Sequence, residues 1–275
     1  MKVLVVPNLQ KNNAENLLRK TGEILSNLQI TPLISDSSLF ESPVFKKMNI
    51  EEALKECDIV AAIGGDGTII HIAKKAAFYN KPVLGINAGR VGYLAGLEGT
   101  NLEALSALKT NEYKIEKRMM LEITTNHNDE KFYCLNDAVL TKGSLSRMID
   151  LTARISGEEI KYRADGLIMA TPTGSTAYSM SAGGPVVDPS IQSIIMTPIC
   201  PYSLHSRSLI ISTDNSLRVY NKSRNDTEVF LTIDGEISRP IELNEYINVA
   251  KAGKSVELIS IGKHSLYETV FKKIR

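Results

Sequence analysis

The chain has 275 residues, longer than most single domains, and 43% of them are apolar, enough to fill two cores. Its 32 basic and 31 acidic residues leave a net charge of +1, which argues against a dedicated nucleic-acid binder. Three widely spaced cysteines, Cys57, Cys134 and Cys200, suit neither a disulfide framework nor a zinc site. The apolar run at the N-terminus is too short for a signal peptide, and no stretch approaches the roughly 20 apolar residues of a membrane span. These features predict a soluble cytoplasmic protein without a membrane partner.

Val3 to Val6 reads as the first strand of a parallel sheet, ended by Pro7 and Asn8. Asn13 to Leu28 carries Leu17, Leu18, Ile24, Leu25 and Leu28 at helical spacing, and Gln29 to Ile34 reads as a second strand. Ser35 to Asn49 is polar and irregular and predicts a loop, followed by a short helix from Ile50 to Glu56. Asp58 to Ile63 is a buried strand. This alternation argues an α/β layer.

That strand runs into Gly64-Gly65-Asp66-Gly67-Thr68, with a helix predicted from Ile69 to Phe78. Ligands of open parallel sheets bind beyond the carboxyl ends of the strands, and a helix N-terminus favours phosphate. Gly67 is therefore a candidate contact, and His71, one turn on, is a second. Asp66 needs a reason, because a carboxylate repels phosphate. Three remain open: it holds a metal ion, takes a proton from a hydroxyl, or caps the helix. The string resembles the turn of diacylglycerol and sphingosine kinases and, more loosely, of phosphofructokinases. It indicates phosphoryl transfer without naming the acceptor.

Pro82 to Ile86 is the next strand, ending in the glycine-rich Asn87-Ala88-Gly89-Arg90-Val91-Gly92-Tyr93-Leu94, and Asn101 to Lys109 is a helix. From Tyr113 the chain reads as strands: Met119 to Thr125, Lys131 to Thr141, Ile149 to Ser156, Leu209 to Ser212, Leu217 to Asn221, Glu228 to Asp234 and Ser255 to Ile261. Turns are marked by Asn128-Asp129, Ser156-Gly157, Asn225-Asp226 and Ala252-Gly253. Many strands without long helices predict an all-β, sandwich-like second domain. The expected division is residues 1–110 plus a returning tail, 262–275, against 111–261.

Asp165 to Pro189 is the most informative stretch. An apolar run, Leu167 to Ala170, breaks at Pro172 and Gly174 into a loop with Thr171, Thr173, Ser175, Thr176, Ser179 and Ser181, and with Tyr178 placed to stack on a flat ring. Asp165-Gly-Leu-Ile-Met-Ala-Thr-Pro-Thr-Gly-Ser-Thr-Ala-Tyr178 resembles the signature of the NAD kinase family in a nearly uninterrupted match. The Asn87 to Leu94 turn resembles a further segment of that family, with Val91 and Tyr93 as departures. Asn136-Asp137, a polar pair inside an apolar strand, resembles its Asn-Glu or Asn-Asp motif, whose members bind the adenosine part of NAD.

The resemblance implies phosphorylation of NAD at the adenosine 2′-hydroxyl by ATP or polyphosphate, with a divalent cation such as Mg²⁺, in a homodimer or homotetramer. It implies that Asp66 is the base on that hydroxyl or a partner of the metal. No metal ligand is otherwise assigned. NAD would be held by Asp165, by Asn136 and Asp137, and by Thr173, Thr176, Ala177, Tyr178, Ser179 and Ser181. Arg147 and Arg163 suit pyrophosphate or ribose, and each could equally be a surface charge. Glu236 stands where many bacterial relatives have Gln, which leaves its ligand role open. Two other classes share features: a lipid or sphingoid kinase with the same Gly-Gly-Asp-Gly-Thr turn, and a non-catalytic sensor of NAD or NADP.

Overall fold

The computed structural model describes residues 1–11, 13–89, 92–127, 130–144, 147–224, 227–262 and 268–270. The chain divides into two units, Met1–Lys117 with Val256–Arg275, and Arg118–Ser255.

The first unit is α/β. Its parallel sheet runs in the order Lys46–Met48, Thr31–Ser35, Lys2–Pro7, Ile59–Gly64, Val83–Asn87, with Leu258 and Ile259 pairing beyond. The strands are buried on both faces and so read as continuous apolar runs. The helix Ala14–Asn27 buries Leu17, Leu18 and Leu25 with Val3, Val5 and Ile63 of the sheet. Strand order reverses between Lys2–Pro7 and Ile59–Gly64, the switch point at which open α/β sheets form their crevice.

Three predicted elements differ. The helix expected from Asn101 to Lys109 is a tighter 3-10 helix, Leu102–Ser106, followed by a single α-helical turn, Ala107–Thr110. The expected loop Ser35 to Asn49 contains the strand Lys46–Met48 and buries Phe40 against Phe45, edge to face with centroids 5.9 Å apart. Those two rings anchor a segment whose polar composition suggests none. The helix predicted from Ile69 starts earlier, at Asp66, with Gly65 as its N-cap.

The second unit is all-β. One antiparallel sheet runs Leu209–Ser212, Ser193–Ile199, Gly166–Ala170, Asp137–Lys142, Val229–Ile233, Ile237–Pro240. The other contains Glu158–Ala164, Ile149–Ile155, Leu217–Asn221 and the start of Tyr246–Ser260, with Lys114–Thr125 and Lys131–Cys134 alongside. Leu140, Leu167, Met169, Met196 and Leu231 of the first sheet share one core with Leu121, Leu151, Val219 and Ile247 of the second.

The predicted strand Lys131 to Thr141 is two strands, broken at Leu135 and Asn136. Ala252-Gly253, expected as a turn, lies within the strand Tyr246–Ser260. Glu158–Ala164, Ser193–Ile199 and Ile237–Pro240 are strands without a clear sequence signal. The first is rich in charge and the second carries Pro198 inside it. The expected turns Asn128-Asp129 and Asn225-Asp226 lie outside the described residues. So does most of the returning tail, where His264 to Arg275 carries Leu266, Val270, Phe271 and Ile274 at helix-like spacing; its residues 268–270 are described and are helical.

Candidate functional site

In the first unit, the Asp66 carboxylate does not cap its own helix. It reaches the neighbouring glycine-rich turn, accepting from the Tyr93 N–H at 2.9 Å and the Leu94 N–H at 3.2 Å. That turn passes so close that a Cβ on Gly92 would collide with the carboxylate. Asn87 builds the start of the same turn, accepting from the Gly89 N–H and donating to Glu98. An ionised carboxylate has about four acceptor positions, so Asp66 is fixed in direction with capacity to spare. Beside it a cavity of about 760 Å³ opens at the switch point, lined by Asn8, Ser35, Ser37, Gly67, Thr68 and His71 among others. Asn8 donates to the Thr68 hydroxyl at 3.2 Å, tying the end of the first strand to the start of the helix.

In the second unit, the bend at Leu135 to Asp137 is the distinctive feature. Consecutive residues of a strand face opposite sides. Here the strand breaks, and both Asn136 and Asp137 line one cavity of about 390 Å³ with Val139, Thr141, Ala177, Tyr178, Thr232, Asp234 and Gly235. The Thr171 hydroxyl donates to the Leu135 carbonyl and its N–H to the Asn136 carbonyl. Gly174 lies against the Asn136 backbone, where a Cβ would overlap it. Asp137 is 6% exposed. Burial, and then the neighbouring charge of Asp234, raise its carboxyl to about 7.

Comparison with known proteins decides the family. Residues 3–113 match the ATP-NAD kinase N-terminal domain and residues 135–261 the ATP-NAD kinase C-terminal domain. The chain is 36% identical over 279 residues to an NAD kinase of Heliobacterium modesticaldum, covering 98% of this chain and 97% of that one. It is 37% identical to an NAD kinase of Caldicellulosiruptor saccharolyticus, covering 100% of both. The chain belongs to the NAD kinase family. It is an enzyme of the kinase class, and its phosphoryl acceptor is NAD. A crystal structure of an NAD kinase from Archaeoglobus fulgidus in complex with ATP has a TM-score of 0.75 at 26% identity, covering 100% of this chain and 99% of that one. A yeast NADH kinase complexed with NADH shares the fold, with a TM-score of 0.86 at 24% identity, covering 99% of this chain and 86% of that one.

With the NAD kinase signature located on the structure, its residues fall into groups. Asn136, Asp137, Ala177 and Tyr178 line one cavity, with Tyr178 46% exposed at its edge. Several loop hydroxyls turn inward instead. Ser179 is buried with its hydroxyl 2.8 Å from that of Thr197, Thr173 is buried, and Thr176 donates to the Thr173 carbonyl. Ser181 is exposed at the end of the short helix Tyr178–Ser181. The loop is a pair of tight turns, and its hydroxyls mainly hold it to the sheet.

Asp165 lies at the far end of the strand Gly166–Ala170 from Asp137, about 17 Å along it at ~3.4 Å per residue, next to Gly166, which pairs with Thr141 of the cavity wall. There it pairs with Lys142 at 2.8 Å. The recurrence of Asp-Gly at Asp165 and Asp234, each after a strand-like segment, raises the expectation that their carboxylates meet at one cleft, but Asp165 is not among the residues lining the cavity that Asp234 lines. Ala170 pairs with Asp137 and Ile233 with Ala138, which puts Asp234 at the Asp137 end of the sheet. Arg163 lines a separate cavity of about 670 Å³, its guanidinium 5.9 Å from the Tyr202 ring centroid. Arg147 is exposed, just before the strand Ile149–Ile155. Glu236 is exposed in the turn closed by its N–H to the Ile233 carbonyl. In the sequence Asp234 is one of three recurring Asp-Gly pairs, a common turn dipeptide that by itself assigns no role. Only its partners distinguish it.

Proposed function

We infer that the protein transfers the terminal phosphoryl group of ATP, or of polyphosphate, to the adenosine 2′-hydroxyl of NAD, giving NADP. The observation that carries this reading is the bend that turns Asn136 and Asp137 into one cavity beside Tyr178. An Asn amide matches the edge of adenine, a carboxyl group hydrogen-bonds ribose hydroxyls, and a phenol ring stacks on a base. In this reading the donor phosphates lie against the N-terminus of the helix Asp66–Phe78, where Gly67 and Thr68 leave room, with His71 on the wall of the same cavity. The oriented Asp66 carboxylate takes the proton of the 2′-hydroxyl as the phosphoryl group moves. Phosphoryl transfer needs little covalent help from the protein, so positioning and a placed base account for most of this chain's contribution.

Among the described residues no group of three or more His, Cys, Asp or Glu side chains gathers to hold a metal ion. A protein-built cage thus does not fit. Mg²⁺ keeps its waters and binds through substrate phosphates together with one or two carboxylates, so no step is assigned to it. We further assign the enzyme to the cytoplasm as a homodimer or homotetramer. No helix of the described residues is long and apolar enough to cross a membrane.

NADP formation, measured with ATP and with polyphosphate beside a calorimetric titration with NAD, tests the reading. Binding without turnover indicates a sensor. Neither binding nor turnover, with activity on a lipid acceptor, indicates a lipid or sphingoid kinase. Light scattering of the eluting protein tests the assembly.

A further inference from the structure

The Asn136–Asp137 bend has its backbone polar groups fully engaged by two residues distant in sequence. Thr171 takes the carbonyls of Leu135 and Asn136. Asp234 takes the rest. Its Oδ2 accepts from the Leu135 N–H at 3.0 Å, and its Oδ1 from the Asn136 N–H at 2.8 Å and the Asp137 N–H at 3.1 Å. Its own N–H donates to the Asp137 carbonyl at 2.9 Å.

Three successive N–H groups converging on one carboxylate cannot occur along a strand, where successive N–H groups alternate in direction. The carboxylate thus stabilises a backbone that has left the ladder, and leaving it lets two adjacent side chains face one cavity. Asp234 is itself held in position as the first of the two central residues of a tight turn, with φ +48° followed by Gly235 at φ +70°, closed by the Glu236 N–H on the Ile233 carbonyl.

We propose that Asp234 is a positioning residue for the acceptor nucleotide, acting through the Leu135–Asp137 bend that its carboxylate holds. The proposal rests on the reading that Asn136 and Asp137 contact NAD. Asp234→Ala removes all three acceptors. Asp234→Asn keeps one oxygen for two of the N–H groups and turns an NH₂ toward the third, so it is milder and guards against a variant that fails to fold.

Hydrogen bonds to charged groups are among the stronger ones, so Asp234→Ala should raise KM for NAD roughly tenfold or more and Asp234→Asn about threefold. KM for ATP should stay within about twofold in both. The double variant Asn136→Ala/Asp234→Asn should lose less NAD affinity than the sum of the two single variants, because only the Asp137 contact is left for the bend to position. The proposal is overturned by an Asp234→Asn variant with unchanged KM for NAD. It is also overturned by a fall in kcat alone, by equal rises in both KM values, or by additive losses in the double variant, which would make Asp234 an independent contact. If Asn136→Ala itself leaves KM for NAD unchanged, the underlying site reading fails instead.

Discussion

Replacing Asp66 by Asn tests both its chemistry and its place in the fold. The carboxylate now accepts two backbone N–H groups, from Tyr93 and Leu94. Asn offers one acceptor oxygen and turns its NH₂ toward the other N–H. One charge-assisted hydrogen bond is lost and two donors oppose each other, which costs about 2 kcal/mol. At this chain length that corresponds to a melting temperature lower by roughly 4–8 °C. Simple helix capping predicts no such loss, since Asn and Asp cap about equally well. If Asp66 is also the base on the acceptor hydroxyl, kcat falls roughly 10²–10⁴-fold while KM for NAD changes little. Steady-state rates of NADP formation and a thermal scan on the same preparation read the two effects separately. Gly92→Ala supplies the control, because its Cβ would displace the carboxylate without altering its chemistry. That variant should lose stability and rate together. An Asp66→Asn enzyme retaining more than about a tenth of wild-type kcat would refute the base role, and one with an unchanged melting temperature would refute the structural one.

Tyr178→Ala should raise KM for NAD several-fold, in line with the roughly 0.5–1.5 kcal/mol of an aromatic contact beyond burial. An unchanged KM in the folded variant removes Tyr178 from the site. Gly174→Ala places a Cβ on the Asn136 backbone, so it should destabilise the protein by about 1–3 kcal/mol and raise KM for NAD, both measurable in one preparation. The Asp137 carboxyl keeps its proton to about pH 7 in the folded chain, against an ordinary value of 3.8. The unfolded chain therefore loses that proton first, and the contribution of Asp137 to stability falls as pH rises from about 4 to about 7. Asp137→Asn removes this dependence, so its melting temperature relative to wild type should climb between pH 5 and pH 7 and level off above. The full effect is at most about 4 kcal/mol, and a difference independent of pH would contradict the raised carboxyl.

The sequence alone determined the α/β layer, the all-β second part and the two glycine-rich turns, because each rests on local patterns. Apolar runs such as Ile59–Gly64 report strands buried on both faces, and Gly-Gly-Asp-Gly set between such a run and a helical stretch marks a strand-to-helix turn. The polar pair Asn136-Asp137 stood out because an apolar strand does not tolerate it without partners. Why it is tolerated was decided in three dimensions. The hydrogen bonds of the bend come from Asp234 and Thr171, nearly a hundred and about 35 residues away, and no periodicity carries that information. Register did the same for Asp165, an ordinary Asp-Gly pair in sequence that pairing with Asp137–Lys142 sends to the far end of its sheet. Loop hydroxyls such as Ser179 look alike in sequence whether they face a ligand or the core. Packing on Thr197 settled that one, because burying a hydroxyl requires a partner and the neighbouring strand supplies it.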